Sequence, residues 1–335
     1  MQTSLEIVRP IIEIDRMGKK ADLIIASKVP KNTRRAYEGD ILYFKHWLEA
    51  IGIRPEFPVP EETIIQFIFH HLESMPEEIE RKLLTVKGGK KDKGLHSLST
   101  VKRRIKMIST LHKIGFMDDP YTQRVKKLII AFSKSAPLQK KAKAITKDIL
   151  IDMLNTCKND KLIDVRDKAM LLFGWSSGGR RRSEIADAEF KDLEALSNGN
   201  YTYTMPRNKT DQEGHGNKVP INGVAARSLK NWLQLSSISE GKLFRSVSKS
   251  GQLGSSITDV DINRVVKRRC KLAGYDESLY SAHSLRSGFI TEAGKNGCPI
   301  GDVMQLSCHR SISTAMGYYQ AGNISNNKAA NLMPI

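Results

Sequence analysis

No stretch of the 335 residues approaches the roughly 20 consecutive apolar residues that a spanning helix needs, which argues against a membrane protein. The opening segment MQTSLEIVRPIIEIDRMGKK interleaves acids with apolar side chains and offers no small-residue cleavage site, so it does not read as a secretory signal, and a cytoplasmic location is expected. Cysteine is scarce: Cys157, Cys270, Cys298 and Cys308 form no CxxC pair and no zinc-type spacing with histidine, which fits reduced thiols and excludes a disulfide framework. There is no Walker loop, no HExxH and no cluster of carboxylates for two magnesium ions, so nucleotide-driven and metal-assisted chemistry are not indicated, and no cofactor is expected. Acidic residues are also in deficit. With 36 Asp and Glu against 54 Lys and Arg, the formal net charge is +18, and a polyanionic partner, nucleic acid before an anionic membrane surface, is implied.

The positive charge is concentrated, since residues 101–150 carry thirteen Lys or Arg against three Asp or Glu. At the centre of this block, Val101, Ile105, Ile108, Leu111 and Ile114 recur at helical spacing and leave Lys102, Arg103, Lys106 and Lys113 off the stripe. That pattern predicts an amphipathic helix whose basic face lacks neutralising acids and can meet phosphates through Lys102, Arg103 and Lys106. Upstream, Tyr37, Ile41, Phe44, Leu48 and Ile51 predict another helix, capped by Asn32 or Thr33, and PEETIIQFIFHHLESM predicts a third. VKGGKKDKGLHS reads as a basic loop between helices. His46, His70, His71, His96 and His112 are expected at the surface or the core edge, and Trp47, Trp175 and Trp232 in packing.

Length favours two domains. The organisation expected is a tail at 1–24, an all-helical domain at 25–136, a lysine-rich linker at 137–144 around Pro137, and a mixed α/β domain at 145–335, making the chain mainly α with a small β-sheet. In the second domain ITKDILIDMLNTC, VRDKAMLLFGWSS, IADAEFKDLEAL and VAARSLKNWLQL read as helices. YTYTMP and KVPI read as strands flanking RNKTDQEGHGN, in a hairpin or the edge of a three-stranded sheet.

Near the C-terminus, AHSLRSG supplies His283 and Arg286, and LSCHRSISTAMGYY supplies His309 and, nine residues on, Tyr318. Breaking a phosphodiester requires positive donors around oxygens that gain negative charge, and arginine gives a permanently charged, bidentate fork. A second arginine lies in GGRRRSE, where Arg180, Arg181 and Arg182 compete. Tyrosine, with an ordinary pKa of about 10, needs such charge and a nearby proton acceptor, and histidine at about 6.5 suits that task.

These ordered motifs resemble the tyrosine recombinase (phage integrase) family, over most of residues 145–335 and more weakly over 25–135. The resemblance implies a helical core-binding domain and a catalytic domain that clamp duplex DNA. It places the family's first arginine at Arg181 with Glu184 as supporting carboxylate, its lysine at Lys209 in RNKT, its His-x-x-Arg pair at His283 and Arg286, its second histidine at His309 and its nucleophile at Tyr318. The implied function is site-specific recombination through a 3′-phosphotyrosyl intermediate, with integration, excision or resolution of DNA as outcomes. The implied assembly is a homotetramer on two DNA sites, in which the tail AGNISNNKAANLMPI, with Asn331, Leu332 and Met333, docks on a neighbour. A prokaryotic-type cytoplasmic setting on nucleoid or plasmid DNA follows from the same resemblance. One departure stands out: Cys308 occupies the place where family members usually have glycine. The rivals are a telomere resolvase or type IB topoisomerase, a non-catalytic sequence-specific DNA-binding protein and, more distantly, an RNA-binding protein, for which no recognition motif is present.

Overall fold

Among the described residues, apolar side chains at three- and four-residue spacing build five helices in the first part of the computed structural model: α1 (Lys31–Ala50), α2 (Glu61–Leu72), α3 (Glu77–Val86), α4 (Leu98–Ile114) and α5 (Gln123–Ser135). The structure describes residues 31–86, 95–135, 142–158, 160–205, 217–309 and 311–324. The chain divides into two units, Met1–Gln139 and Lys140–Ile335. The expected tail at 1–24, most of the basic loop, residues 137–141 of the linker, Lys209 and the C-terminal Asn331, Leu332 and Met333 lie outside the described residues.

In the first unit Trp47 from α1, Ile64, Phe67 and Ile68 from α2, Val101, Ile105 and Ile108 from α4 and Val125 from α5 form one core. The α1 stripe is rotated from the expected one: Tyr43, Phe44, Trp47 and Leu48 are buried, while Tyr37 is exposed. Helix α1 already includes Asn32 and Thr33, so neither caps it; Pro30, which cannot donate a backbone hydrogen bond, precedes its first residue. His71 and His112 are not edge residues but wholly buried. Burial is tolerated because both rings are satisfied. His112 Nε2 accepts from Val59 N at 2.8 Å and its Nδ1 lies 2.8 Å from the Ile108 carbonyl, while His71 bridges Tyr43 Oη (2.7 Å) and the Phe67 carbonyl (2.7 Å).

The second unit contains α6 (Lys147–Asn155), α7 (Leu162–Ser176), α8 (Arg182–Asp187), strands β1 (Leu193–Ala195), β2 (Tyr201–Thr204) and β3 (Lys218–Ile221), then α9 (Gly223–Ser236), α10 (Asp259–Leu272), α11 (His283–Lys295), α12 (Ile300–Ser307) and α13 (Ile312–Asn323). The strands form an antiparallel sheet in the order β1-β2-β3, with Tyr203 opposite both Leu193 and Val219. Tyr203, Val219 and Ile221 face the core, the alternation expected of a sheet buried on one side. Residues 185–196 do not form the single helix expected from their pattern. Helix α8 stops at Asp187 because the next backbone groups pair with residues 241–243: the Ala188 carbonyl accepts from Leu243 N (2.8 Å) and Phe190 N donates to Gly241 O (2.8 Å). Tertiary pairing overrides local propensity, and β1 follows a 3₁₀ turn at Phe190–Asp192.

Helix α9 packs on α7 through Leu229 and Trp232, and the indole of Trp232 donates to the Leu243 carbonyl at 2.9 Å. Buried Asp167 accepts from Arg166 Nη2 (2.7 Å) and Arg269 Nε (2.8 Å), which ties α7 to α10. Those arginines are therefore committed to the fold.

Candidate active site

Two adjacent glycines shape the turn between α7 and α8: Gly178 at φ 101° and Gly179 at φ 71° occupy backbone conformations that residues with a Cβ rarely adopt. A Cβ on Gly179 would sit 2.5 Å from the Arg286 Cα, so this position admits glycine alone, and its carbonyl accepts from Arg286 Nη1 at 2.8 Å. The turn and the first turn of α11 are thereby locked together. Arg181 caps α8 in extended geometry, its backbone N–H donating to Glu184 Oε2 (3.0 Å) and its guanidinium to Glu184 Oε1 (2.5 Å). Its side chain stays 42% exposed, available to a ligand, whereas neighbouring Arg180 is wholly buried. Arg182 pairs with Asp259 at 3.1 Å. The three arginines that compete in sequence thus have three different fates.

Helix α11 presents His283 and Arg286 from one face of its first turn. Arg286 is 2% exposed, and its Nε donates to His309 Nε2 at 3.3 Å while Nη2 lies 2.9 Å from Nδ1. Ser307 Oγ sits 2.7 Å from the same Nδ1, so an imidazole that accepts at Nε2 can give its Nδ1 proton to Ser307. His309 follows Cys308, which ends α12 in the left-handed conformation (φ 55°, ψ 44°). This is where glycine is the ordinary residue.

Helix α13 lies against α11 at very short range. A Cβ on Gly294 would run into the Tyr319 carbonyl oxygen, and one on Gly322 into the Thr291 carbonyl oxygen. Thr291 Oγ1 also donates to the Tyr318 carbonyl at 3.3 Å. This packing brings Tyr318 Oη to 3.4 Å from His283 Nε2. The adjacent Tyr319 points elsewhere and donates to the Cys298 carbonyl at 2.6 Å.

The electrostatics are set by Arg181 and Arg286, with Glu184 as the carboxylate paired to Arg181. Desolvation by the surrounding protein, although part of the ring faces solvent, together with Arg286 and Arg181, holds His283 below the ordinary imidazole range. Burial, then the charges of Arg286, Arg181, His283 and Arg180, push His309 down to about 4. Burial and Arg181 lower Arg286 to about 10. The positive charge of the site is thus carried by Arg181 and Arg286, beside two imidazoles that burial and those charges hold below their ordinary range. The structure brings together Arg181, Glu184, His283, Arg286, His309 and Tyr318, and Lys209 lies outside the described residues. Sequence reading missed Ser307, Gly179 and the inward turn of Arg180, of which only the paired glycines leave a visible signal.

On the first unit, Lys106 projects from α4 into solvent, Lys102 donates to Ser133 Oγ (2.9 Å), and Arg103 pairs with Asp40 (2.5 Å). Asp40 is 2% exposed and also meets Arg104 Nε at 3.3 Å, so the α4 face is partly neutralised from beneath.

Residues 143–323 match the family model described as the phage integrase family. An integrase/recombinase xerD homolog from Selenomonas ruminantium is 28% identical over 331 residues, covering 95% of this chain and 90% of that protein. Tyrosine recombinase XerC from Thermodesulfovibrio yellowstonii is 27% identical over 183 residues, covering 52% and 57%. Among solved structures, the Tn1549 transposon integrase in complex with circular intermediate DNA superimposes with a TM-score of 0.61 at 15% identity, covering 94% of this chain and 97% of that one. At that identity the likeness is one of fold.

Proposed function

Because the chain belongs to the phage integrase family, whose model spans its residues 143–323, we propose that it is a site-specific tyrosine recombinase that cleaves and rejoins duplex DNA. The observation that carries this reading is Tyr318 Oη at 3.4 Å from His283 Nε2, beside the guanidinium groups of Arg181 and Arg286 and the imidazole of His309. Arg181 and Arg286 bind the non-bridging oxygens of the scissile phosphate, with His309 as a further donor; Glu184 holds Arg181 in place. His283, kept neutral by its surroundings, accepts the phenol proton as the Tyr318 oxygen forms its bond to phosphorus. The bond from phosphorus to the 5′ oxygen breaks, and Lys209 protonates the departing oxygen. The resulting 3′-phosphotyrosyl ester keeps the energy of the broken bond, so a 5′-hydroxyl from another strand can attack it and restore the duplex.

The helical unit, with residues 25–136 as its core-binding domain, contributes Lys102, Arg103 and Lys106 to phosphate contact, and residues 145–335 carry out cleavage. Recombination joins two sites, and four copies on two sites supply one nucleophile per strand. The apolar groove lined by Trp175, Phe289, Ala293, Val303 and Leu306 supports docking of a neighbour's C-terminal residues 325–335. The setting is cytoplasmic, on nucleoid or plasmid DNA.

The experiment is to incubate wild type and Tyr318→Phe with fragmented genomic DNA and isolate covalent protein–DNA adducts. The expected result is an adduct from the wild type, none from the variant, and DNA binding unchanged. An adduct that persists in the variant moves the nucleophile elsewhere; no adduct from the wild type favours a non-catalytic DNA-binding protein.

A further inference from the structure

Ser307, the last residue of α12, is 0% exposed, and its Oγ lies 2.7 Å from His309 Nδ1. The left-handed turn at Cys308 makes this contact possible between residues two apart. It folds the chain back over the helix end, where His309 N donates to the Met304 carbonyl at 3.2 Å. A buried hydroxyl is costly unless bonded, and this one has a second partner, since Ser307 Oγ also donates to the Met304 carbonyl at 3.5 Å.

A neutral imidazole has one proton and one lone pair to place, and burial with the nearby arginines keeps His309 neutral in the free protein. Arg286 can only donate, and it faces both ring nitrogens, with Nε 3.3 Å from Nε2 and Nη2 2.9 Å from Nδ1. Whichever nitrogen is bare therefore finds a donor, and the ring's own proton discriminates between the two tautomers. On Nε2 it would meet only an Arg286 N–H among the described residues, whereas on Nδ1 it meets the Ser307 oxygen. The hydrogen bonds then run in one direction, from Arg286 Nε to Nε2, from Nδ1 to Ser307 Oγ, and from Ser307 Oγ to the Met304 carbonyl. A histidine side chain in water favours the proton on Nε2, so the surroundings here select the opposite form.

We propose that Ser307 is a positioning residue that holds the His309 proton on Nδ1 and so leaves Nε2 as the nitrogen presented to the scissile phosphate. This rests on the recombinase reading, in which His309 donates to that phosphate. When the phosphate arrives, Arg286 turns its Nε from the ring to the anion, and Nε2 takes up a proton from solvent, favoured by the negative charge. The imidazolium so formed has an acceptor for each N–H: Ser307 for Nδ1 and a phosphate oxygen for Nε2. The ring need neither turn nor exchange tautomers. Without the hydroxyl, the Nδ1 proton loses its acceptor and the ring loses the contact that fixes its orientation.

The test uses the full chain with histidine labelled at its ring nitrogens, read by NMR, and the spectrum of His309→Gln identifies the His309 signals among those of eight histidines. At neutral pH without DNA, the wild type is expected to show a protonated Nδ1 and a bare Nε2, and Ser307→Ala to move the proton toward Nε2. On a duplex mapped from a trapped adduct, Ser307→Ala is expected to slow adduct formation at saturating DNA by about tenfold with DNA affinity unchanged. That is less than the roughly 10²- to 10³-fold cost of deleting such a donor outright, because the imidazole itself remains. In the His309→Gln background the same change should cost nothing further, since the serine acts through the ring. An Nε2 proton in the free wild type, a tautomer indifferent to Ser307→Ala, a wild-type rate, or equal losses in both backgrounds would overturn the proposal. Thermal unfolding accompanies each variant, and if Ser307→Ala does not fold, Ser307→Cys, whose thiol is a weak acceptor, takes its place. Absence of any adduct from the wild type would instead defeat the recombinase reading, while the tautomer of the free protein still decides whether Ser307 sets the ring.

Discussion

Charge governs the site at the scale of single residues. Below its ordinary value of about 6.5, a histidine held down by its surroundings stays neutral over pH that would protonate a free one. If His283 accepts the phenol proton, its neutral form is the competent one, so activity rises with pH through a pKa that lies below that of a free imidazole. The acid limb of kcat/KM, which reports the free enzyme, is expected below pH 6.5, and His283→Ala should remove it; an acid limb above 6.5 would assign the base to another group. Much of this constellation was legible in the sequence, because His283, Arg286, His309 and Tyr318 stand at informative spacings and Arg181 precedes Glu184 by three. The inward turn of Arg180 was not, since one arginine in a run of three gives no sign of which way it will point. That direction is decided by the space over Gly178 and by the Leu306 carbonyl, both set by tertiary packing.

At the scale of elements, the relation of α11 to α13 decides whether nucleophile and base can meet. Gly322 allows the closest approach, against the Thr291 carbonyl. Gly322→Ala should push α13 outward and draw Tyr318 away from His283, slowing adduct formation by about 10²-fold with DNA binding retained. Retention of the wild-type rate would show that the helices need not touch for chemistry. About half of the described helices could be read from periodicity, among them α2, α4, α6, α7 and α9, and strands β2 and β3 from alternation. Helix α8 could not be delimited, because its end is set by pairing of Ala188 and Phe190 with residues 241–243, some fifty positions away. The burial of His71 was hidden for a related reason: its partners Tyr43 and Phe67 come from α1 and α2 together, and the protein around it pushes its pKa down to about 3.

For the whole molecule, the net charge of +18 anticipated a polyanionic partner, and the basic block at 101–150 placed much of that charge in and just after the first unit. The charge count could not show that buried Asp40 already opposes Arg103. Lys106→Ala is therefore expected to reduce the slope of log affinity against log salt by about one, and Arg103→Ala by less, in titrations between about 50 and 200 mM salt. A larger change for Arg103→Ala would mean that it leaves Asp40 when DNA binds. The glycine-mediated contact between α11 and α13 has one more consequence. On the proposed reading, Tyr318 lies beside a base on its own polypeptide, through helices whose contacts at Gly294 and Gly322 leave no room for a side chain, and this favours cleavage by a nucleophile and base of one copy. On the proposed reading each copy answers only for the strand it grips, and an assembly with one defective tyrosine leaves that single strand uncut.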